Sequence, residues 1–215
     1  MASEKIKRSQ TRGEEIANTI SHGLGAVLAL SFAAPLAVRG ILSGSAKAGF
    51  SLTAYAFSLV LLYTASAVYH GVRDPKVKRA LRIMDHCSIF VLILGTYVPM
   101  SLLVVGGRTG WMLFLTNTTL AVVGIVLNTI DLKRFDKVSL ALYALMGWLV
   151  VLAMRAIIAT LPPLGLALLA GGGVAYTAGI VFYKAQGKYM HFAWHLFVLA
   201  GSVLQFICIA LYCLP

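Results

Sequence analysis

The sequence has few charged side chains, and acidic residues are the scarcest of them. Asp and Glu account for only 7 of the 215 residues, and 12% of the chain is charged, about half the share found in a soluble domain. Hydrophobic residues make up 60% of the chain, which is more than a soluble fold of this length can bury. The composition therefore excludes a soluble globular domain, and its high hydrophobicity excludes a disordered chain.

Cysteine is also scarce. The three cysteines, Cys87, Cys208 and Cys213, lie in apolar stretches and form no C-x-x-C motif. A disulfide scaffold needs many more cysteines than this. We therefore interpret all three as free, small hydrophobic residues.

Long apolar runs dominate what the chain does contain. A membrane-spanning helix needs about 20 apolar residues, and seven runs of this kind are separated by short segments with Gly, Pro and charge. The runs are Ile16–Val38, Gly49–Val72, Ile83–Val105, Gly110–Ile130, Val138–Ile158, Leu164–Tyr183 and Met190–Leu214. The predicted fold is an all-α membrane protein, a single seven-transmembrane-helix bundle over residues 1–215, with residues 1–13 as an N-terminal segment. Because the first run exceeds the usual length of a signal peptide core, we interpret it as a retained span.

Basic residues are distributed unevenly between the two sides of this bundle. Along alternate connecting segments, 14 of the 18 Lys and Arg residues fall on the side of the N-terminus. Since basic segments stay in the cytoplasm, the N-terminus is predicted to be cytoplasmic and the C-terminus external. We interpret the net charge of +11 as a topology signal and a source of contacts with anionic membrane lipids. No basic stretch is interleaved with aromatic residues, so nucleic-acid binding is not expected.

The ionisable residues inside the spans cluster at one depth. All five histidines lie in a span or within a turn of its end, and Asp85 lies beside His86. In four spans, a histidine or Asp85 lies about 4 to 11 Å along the helix from the charged residue that marks the end of the span, on the predicted cytoplasmic side. Because such groups are costly in a membrane, this arrangement predicts a functional site. The residues concerned are His22, His70, Asp85, His191 and His195.

The spacing of these residues favours a metal site. His191 and His195 are four residues apart and share one helix face, a spacing at which two imidazoles bind one metal ion. His70 can supply a third nitrogen and leave one position for water, which is the pattern of catalytic zinc. Zinc lowers the pKa of such a water from about 15.7 toward 7. Asp85 can then accept a proton from this water or orient the water. Ser66, four residues before His70, can form a hydrogen bond to a group in the site.

Each of these residues also has a structural interpretation. His22 and His86 can be hydrogen-bond partners between helices rather than parts of a metal site. Asp85 can be a carboxylate at a helix N-terminus, where the helix dipole favours negative charge. Ser66 can donate to the carbonyl oxygen of Leu62 in the preceding turn.

At these positions the sequence resembles a known family, the haemolysin III proteins of bacteria. They are the prokaryotic branch of the superfamily that contains the progestin and adiponectin receptors and the alkaline ceramidases. The resemblance covers nearly the whole chain and is carried by four motifs. These are Glu14-x-x-x-Asn18-x-x-x-His22-Gly23, Ser66-x-x-x-His70, Asp85-His86-x-x-Ile89-Phe90 continuing to Gly95-Thr96-Tyr97-x-Pro99, and His191-x-x-x-His195.

The resemblance implies a multi-pass protein of the inner (plasma) membrane with its N-terminus inside. It implies zinc held by His70, His191 and His195, with Asp85 reaching the metal through water and Ser66 as the serine of its motif. In the relatives, the zinc site is proposed to hydrolyse a lipid amide, as in ceramide. The further candidates around the metal ligands are Asn18, His22 and His86. No extracellular hormone-binding domain is expected, so a hormone-receptor role is not predicted.

The leading hypothesis is therefore a zinc-dependent intramembrane hydrolase of lipid amide or ester bonds, with a lipid substrate that enters sideways. The first alternative is a haemolysin-like pore-former that lyses cells. A pore needs a polar lining across the bilayer, whereas the outer halves of the spans are nearly all apolar. The second alternative is a membrane-state sensor with a structural zinc, favoured if Asp85 completes a closed four-ligand site.

Overall fold

The computed structural model describes residues 8–214 and confirms the predicted fold class. In this part of the chain there are seven apolar helices long enough to cross a membrane and no β-strand. The helices are α1 (Arg12–Leu42), α2 (Ala46–Gly71), α3 (Pro75–Val105), α4 (Gly107–Asp131), α5 (Asp136–Thr160), α6 (Pro163–Lys184) and α7 (Met190–Tyr212). Lys5 and Lys7, counted in the charge analysis, lie outside the described residues. The chain is a multi-pass membrane protein of seven helices.

Helix α3 begins eight residues earlier than its apolar run. Asp74 caps the helix, since its side chain accepts hydrogen bonds from the backbone N–H groups of Lys76 and Val77 at 2.9 Å each. Pro75 follows at the first helical position, where its fixed φ and missing N–H are tolerated. Much of the basic segment between the second and third apolar runs is therefore helical. Asp85 lies ten residues inside α3, so its interpretation as a carboxylate in the first turn of a helix is wrong.

Three helices contain irregular turns. A π-helical segment occupies Ala29–Ala33 of α1, another occupies Met100–Val105 directly after Pro99 in α3, and a 3₁₀ segment occupies Leu149–Ala153 of α5. The Tyr97 hydroxyl bridges the last of these, donating to the Gly147 carbonyl at 2.9 Å and accepting from the Val150 N–H at 2.7 Å. Because backbone groups in a membrane must find internal partners, this phenol stabilises the break in α5.

The helices pack in sequence order, and α7 packs against α1 to close the bundle. Helices α2 and α3 form its interior: a Cβ at Gly95 would overlap the Ser58 side chain, so α3 approaches α2 closely only because residue 95 is glycine. The most exposed spans are α5 and α6. Large apolar side chains on the outer surface, such as Leu42 and Leu152, are 78% and 79% exposed, as expected for positions that face lipid. The three cysteines are free, as predicted.

The orientation of the bundle can be tested with reporter fusions. We predict that alkaline phosphatase, which needs an oxidising compartment for its disulfides, is active when fused after Leu214 or inserted at residues 43–45. The same reporter inserted between Lys133 and Arg134 is expected to be inactive, because this segment is basic and stays in the cytoplasm. A cytoplasmic fluorescent reporter at the same three positions is the control and should give the reverse pattern. Active phosphatase at the basic segment would contradict the predicted orientation.

Candidate metal centre

Three histidines from two helices converge at one end of the bundle. His70 lies in the last turn of α2, and His191 and His195 lie in the first two turns of α7. Each offers a ring nitrogen, and these three nitrogens lie within 4.8 Å of one another. The structure thus brings together the three histidines that the spacing predicted as ligands, and the group can hold a metal ion.

The ring nitrogens available to a metal are buried and have no protein partner. Nε2 of His70, Nε2 of His191 and Nε2 of His195 find no hydrogen-bond partner among residues 8–214. A buried polar atom left without a partner is destabilising, and three at one point need a common explanation. A metal ion with imidazole ligands provides one, because each nitrogen would donate its lone pair to the ion.

Two of the three rings are oriented by residues of α1. Glu15 Oε2 lies 2.7 Å from His70 Nδ1, and Lys78 Nζ lies 2.9 Å from the other Glu15 oxygen. The Ser21 hydroxyl lies 3.1 Å from His195 Nδ1 and donates to the Asn18 carbonyl at 2.9 Å. Since this hydroxyl already donates to a carbonyl, it accepts from the His195 Nδ1–H. Both imidazoles are therefore held with Nε2 free to bind a metal, the arrangement common around metal-bound histidines.

Glu14 connects the start of α1 to the start of α7. It is 3% exposed, forms a capping box with Thr11, pairs with Arg8 and accepts the backbone N–H of Tyr189 at 2.8 Å. Tyr189 directly precedes α7 and has a φ of 60°, a conformation that non-glycine residues seldom adopt. The buried carboxylate therefore stabilises an unfavourable turn two residues before His191.

Asp85 and Ser66 are buried near the histidines. Asp85 is 4% exposed and Ser66 is 1% exposed, and the Asp85 carboxylate lies 3.5 Å from His86 Nδ1. The Ser66 hydroxyl has no hydrogen-bond partner in the described chain, so the predicted bond to the Leu62 carbonyl is not formed. Both side chains are therefore available to a molecule bound at the site.

The remaining candidates, Asn18, His22 and His86, occupy different positions. Asn18 is fully buried, donates to Gln10 Oε1 at 2.6 Å and lies 3.5 Å from His70 Nδ1. The His22 ring stacks on His195 with centroids 3.5 Å apart. His86 Nδ1 donates to the Arg82 carbonyl of its own helix at 3.0 Å and lies 3.5 Å from the Asp85 carboxylate. Asn18 and His22 thus contact the ligand rings, whereas His86 bonds mainly to the α3 backbone.

Sequence reasoning missed Glu15 and Ser21 as site residues. A signal was present, because Glu15, Asn18 and His22 recur at helical spacing and form a polar stripe on one face of an apolar helix. Such a stripe in a span faces protein rather than lipid.

A cavity of about 500 Å³ reaches His22 and Asp85. Its other walls come mainly from apolar residues of α3, α5, α6 and α7. Residues such as Val105 and Leu166, near the opposite ends of their helices, also line it. The cavity therefore joins a polar end at His22 and Asp85 to a long apolar region within the bundle.

Comparisons with known proteins agree with this architecture. A family model described as "Haemolysin-III related" matches residues 10–206. The chain is 38% identical over 216 residues to Hemolysin-3 of Bacillus cereus, covering 100% of this chain and 99% of that protein. It is 39% identical over 201 residues to a Hemolysin-3 homolog of Bacillus subtilis, covering 93% and 94%. A human protein, monocyte to macrophage differentiation factor, is 28% identical over 165 residues, covering 71% of this chain and 66% of its own.

The role of Glu15 can be tested through metal affinity. Glu15→Gln removes the carboxylate that holds His70 Nδ1, so we predict that zinc affinity falls about 10- to 100-fold. Titration of the purified protein against a fluorescent chelator measures this change. Asp131→Asn is the matched control and should bind zinc like the unmodified chain, because the Asp131 side chain accepts the backbone N–H groups of Lys133 and Arg134. An unchanged affinity in Glu15→Gln would show that His70 does not depend on this carboxylate.

Proposed function

This chain belongs to the haemolysin III family, and from that membership and the geometry of its histidines we propose that it is a zinc-dependent hydrolase of lipid amide or ester bonds. The observation that carries the proposal is the convergence of three buried imidazole nitrogens, without a partner among residues 8–214, together with a buried carboxylate that lines an apolar cavity. The site would lie near the cytoplasmic face of the inner (plasma) membrane.

The proposed zinc ligands are His70, His191 and His195. Three neutral nitrogens with one open position is the ligand set of catalytic zinc, and Glu15 and Ser21 hold two of the rings in the required tautomer. When bound, zinc supplies a Lewis acid and an activated water at neutral pH. Imidazole ligands support zinc over a hard cation such as Mg²⁺, because Mg²⁺ prefers oxygen ligands.

Proton transfer is assigned to Asp85. Its carboxylate is buried and lines the cavity. We assign Asp85 as the general base that takes a proton from the attacking water and returns it to the departing amine or alcohol. Ser66 would donate its hydroxyl hydrogen to a molecule bound at the site, since that hydroxyl has no partner among the described residues.

The apolar cavity supports a lipid as the substrate. Its volume of about 500 Å³ lies within the range of small-molecule sites, which are mostly apolar with a few polar groups. An acyl chain packed against Ile93, Met100 and Leu169 would place its polar head beside Asp85 and His22, all of which line the cavity. The apolar walls would also exclude bulk water from the reacting bond.

A pore is less well supported by the same cavity. A conducting pathway needs polar groups along its length, and apart from the region near His22 and Asp85 the lining is mainly apolar. Leakage of dye from liposomes containing the protein, independent of zinc, would favour the pore. A structural zinc in a membrane-state sensor would be favoured by full zinc occupancy without any lipid cleavage.

The proposed metal site makes a prediction about metal content. The purified chain should carry about one zinc ion, and His70→Ala and His191→Ala should each lose it, because either change leaves two ligands. Mass spectrometry of detergent-purified protein measures the stoichiometry. His86→Ala is the matched histidine control and should retain zinc, since its ring bonds to the Arg82 carbonyl. Absence of metal from a folded, unmodified protein would remove the basis of the hydrolase proposal.

The role of Asp85 makes a prediction about activity. Asp85→Asn should retain zinc but lower the rate of lipid amide cleavage about 10²- to 10⁴-fold, the usual contribution of a general base. Cleavage of labelled lipid amides by the purified, zinc-loaded chain provides the measurement. Asp74→Asn is the matched control, because asparagine caps a helix as well as aspartate. Equal rates in Asp85→Asn and the unmodified chain would exclude this carboxylate as the base.

A further inference from the structure

His22 is a buried histidine that the proposed metal and proton-transfer steps do not use. It lies on the polar stripe of α1, is 1% exposed and lines the apolar cavity together with Asp85. Its ring stacks on His195 with centroids 3.5 Å apart and planes 10° apart, and it meets the Tyr63 ring at 87°. One face and part of the edge of His22 are therefore covered by aromatic rings.

The stacked geometry excludes His22 as a further ligand of the same metal ion. The lone pair of an imidazole nitrogen lies in the plane of the ring, so an ion bound by His195 lies in the His195 plane. The His22 plane is nearly parallel and about 3.5 Å away, so its lone pairs do not point at that ion. Consistent with this, the group of mutually close ligand atoms contains His70, His191 and His195 without His22.

Both ring nitrogens of His22 are nevertheless without a partner. Nδ1 and Nε2 are buried, and neither forms a hydrogen bond within the described part of the chain. A neutral imidazole carries one N–H donor and one acceptor, and a buried donor in an apolar cavity is unfavourable unless something accepts it. The ring is held by stacking alone, which leaves its N–H for a molecule in the cavity.

We infer that His22 is the polar anchor of the cavity and donates its ring N–H to an oxygen at the head of an acyl chain. That oxygen is the carbonyl of a lipid amide or ester, or the carboxylate of the fatty acid released from it. The inference rests on the proposed function for the class of ligand. Asp85 also lines the cavity but carries negative charge when ionised and would repel a carboxylate. The hydroxyls of Tyr143 and Tyr183, two further lining residues, already donate to the His86 carbonyl and to the Asp136 carboxylate. Of these groups, His22 is the donor left for such an oxygen.

The test compares zinc-loaded, full-length variants with two probes. A fluorescent long-chain fatty acid reports binding without turnover, and a lipid amide with an isotope-labelled carbonyl reports the hydrogen bond by infrared spectroscopy. His22→Phe keeps the stacked ring but removes the N–H, and His22→Gln restores a donor. Tyr63→Phe is the matched control, because Tyr63 contacts His22 but directs its hydroxyl to the Val198 carbonyl.

We expect His22→Phe to retain zinc and to bind the fatty acid about tenfold more weakly, the effect of one hydrogen bond to a charged group. We expect His22→Gln to recover most of the affinity and Tyr63→Phe to match the unmodified chain. The carbonyl band of the bound amide should move to higher wavenumber in His22→Phe. If His22→Phe does not fold, the comparison of His22→Gln with His22→Leu decides the same question.

Three results would overturn the anchor role. They are unchanged fatty-acid affinity in His22→Phe, loss of zinc from that variant, and failure of the unmodified chain to bind the fatty acid. Binding of the fatty acid without cleavage of any amide would instead contradict the hydrolase proposal. In that case the affinities of the His22 variants would still decide whether His22 anchors the acyl chain, so the two failures are distinguishable.

Discussion

The arrangement of the histidines and of the α1 side chains around them depends on one constraint. Polar groups that are buried away from water need hydrogen-bond or metal partners within the protein. Three imidazole nitrogens converge without a partner in the described part of the chain, and inside a membrane an unsatisfied polar atom is more destabilising than at a surface in contact with water. The polar face of α1 limits this cost by pairing the opposite nitrogens of His70 and His195 with Glu15 and Ser21. The contacts of α1 with α2 and with α7 therefore orient two of the three histidines, and the contact with α7 also closes the bundle.

The seven helices were predictable because a membrane span has a strong local signature of length and hydropathy. The apolar run predicts the start of α3 eight residues too late, because hydropathy detects only where the chain becomes apolar. The helix itself begins directly after Asp74, which caps it. The correction matters for the site, because it places Asp85 in the interior of a helix rather than in its first turn. Helix caps are local in sequence, and Asp74 followed by Pro75 was a visible signal for this boundary.

The histidines were predictable for a different reason from the residues that orient them. His191 and His195 share a face by spacing alone, and His70 lies at the same depth by counting from the basic boundary. Glu15 lies at that boundary, where a carboxylate resembles ordinary surface charge, and only the packing of α1 on α2 brings it to 2.7 Å from His70. Contacts between helices of this kind are set by tertiary structure, so no pattern within one span indicates the partner.

Lys78 shows that one residue can serve both topology and the site. It contributes to the basic excess that predicts a cytoplasmic N-terminus, and its ammonium also lies 2.9 Å from Glu15 and 4.9 Å from the centre of the Tyr69 ring. The ammonium favours the ionised form of Glu15, and an ionised Glu15 is the stronger acceptor for His70 Nδ1–H. A positive charge that belongs to the predicted topology signal therefore also supports, through the Glu15 carboxylate, the basicity of the second ring nitrogen of His70.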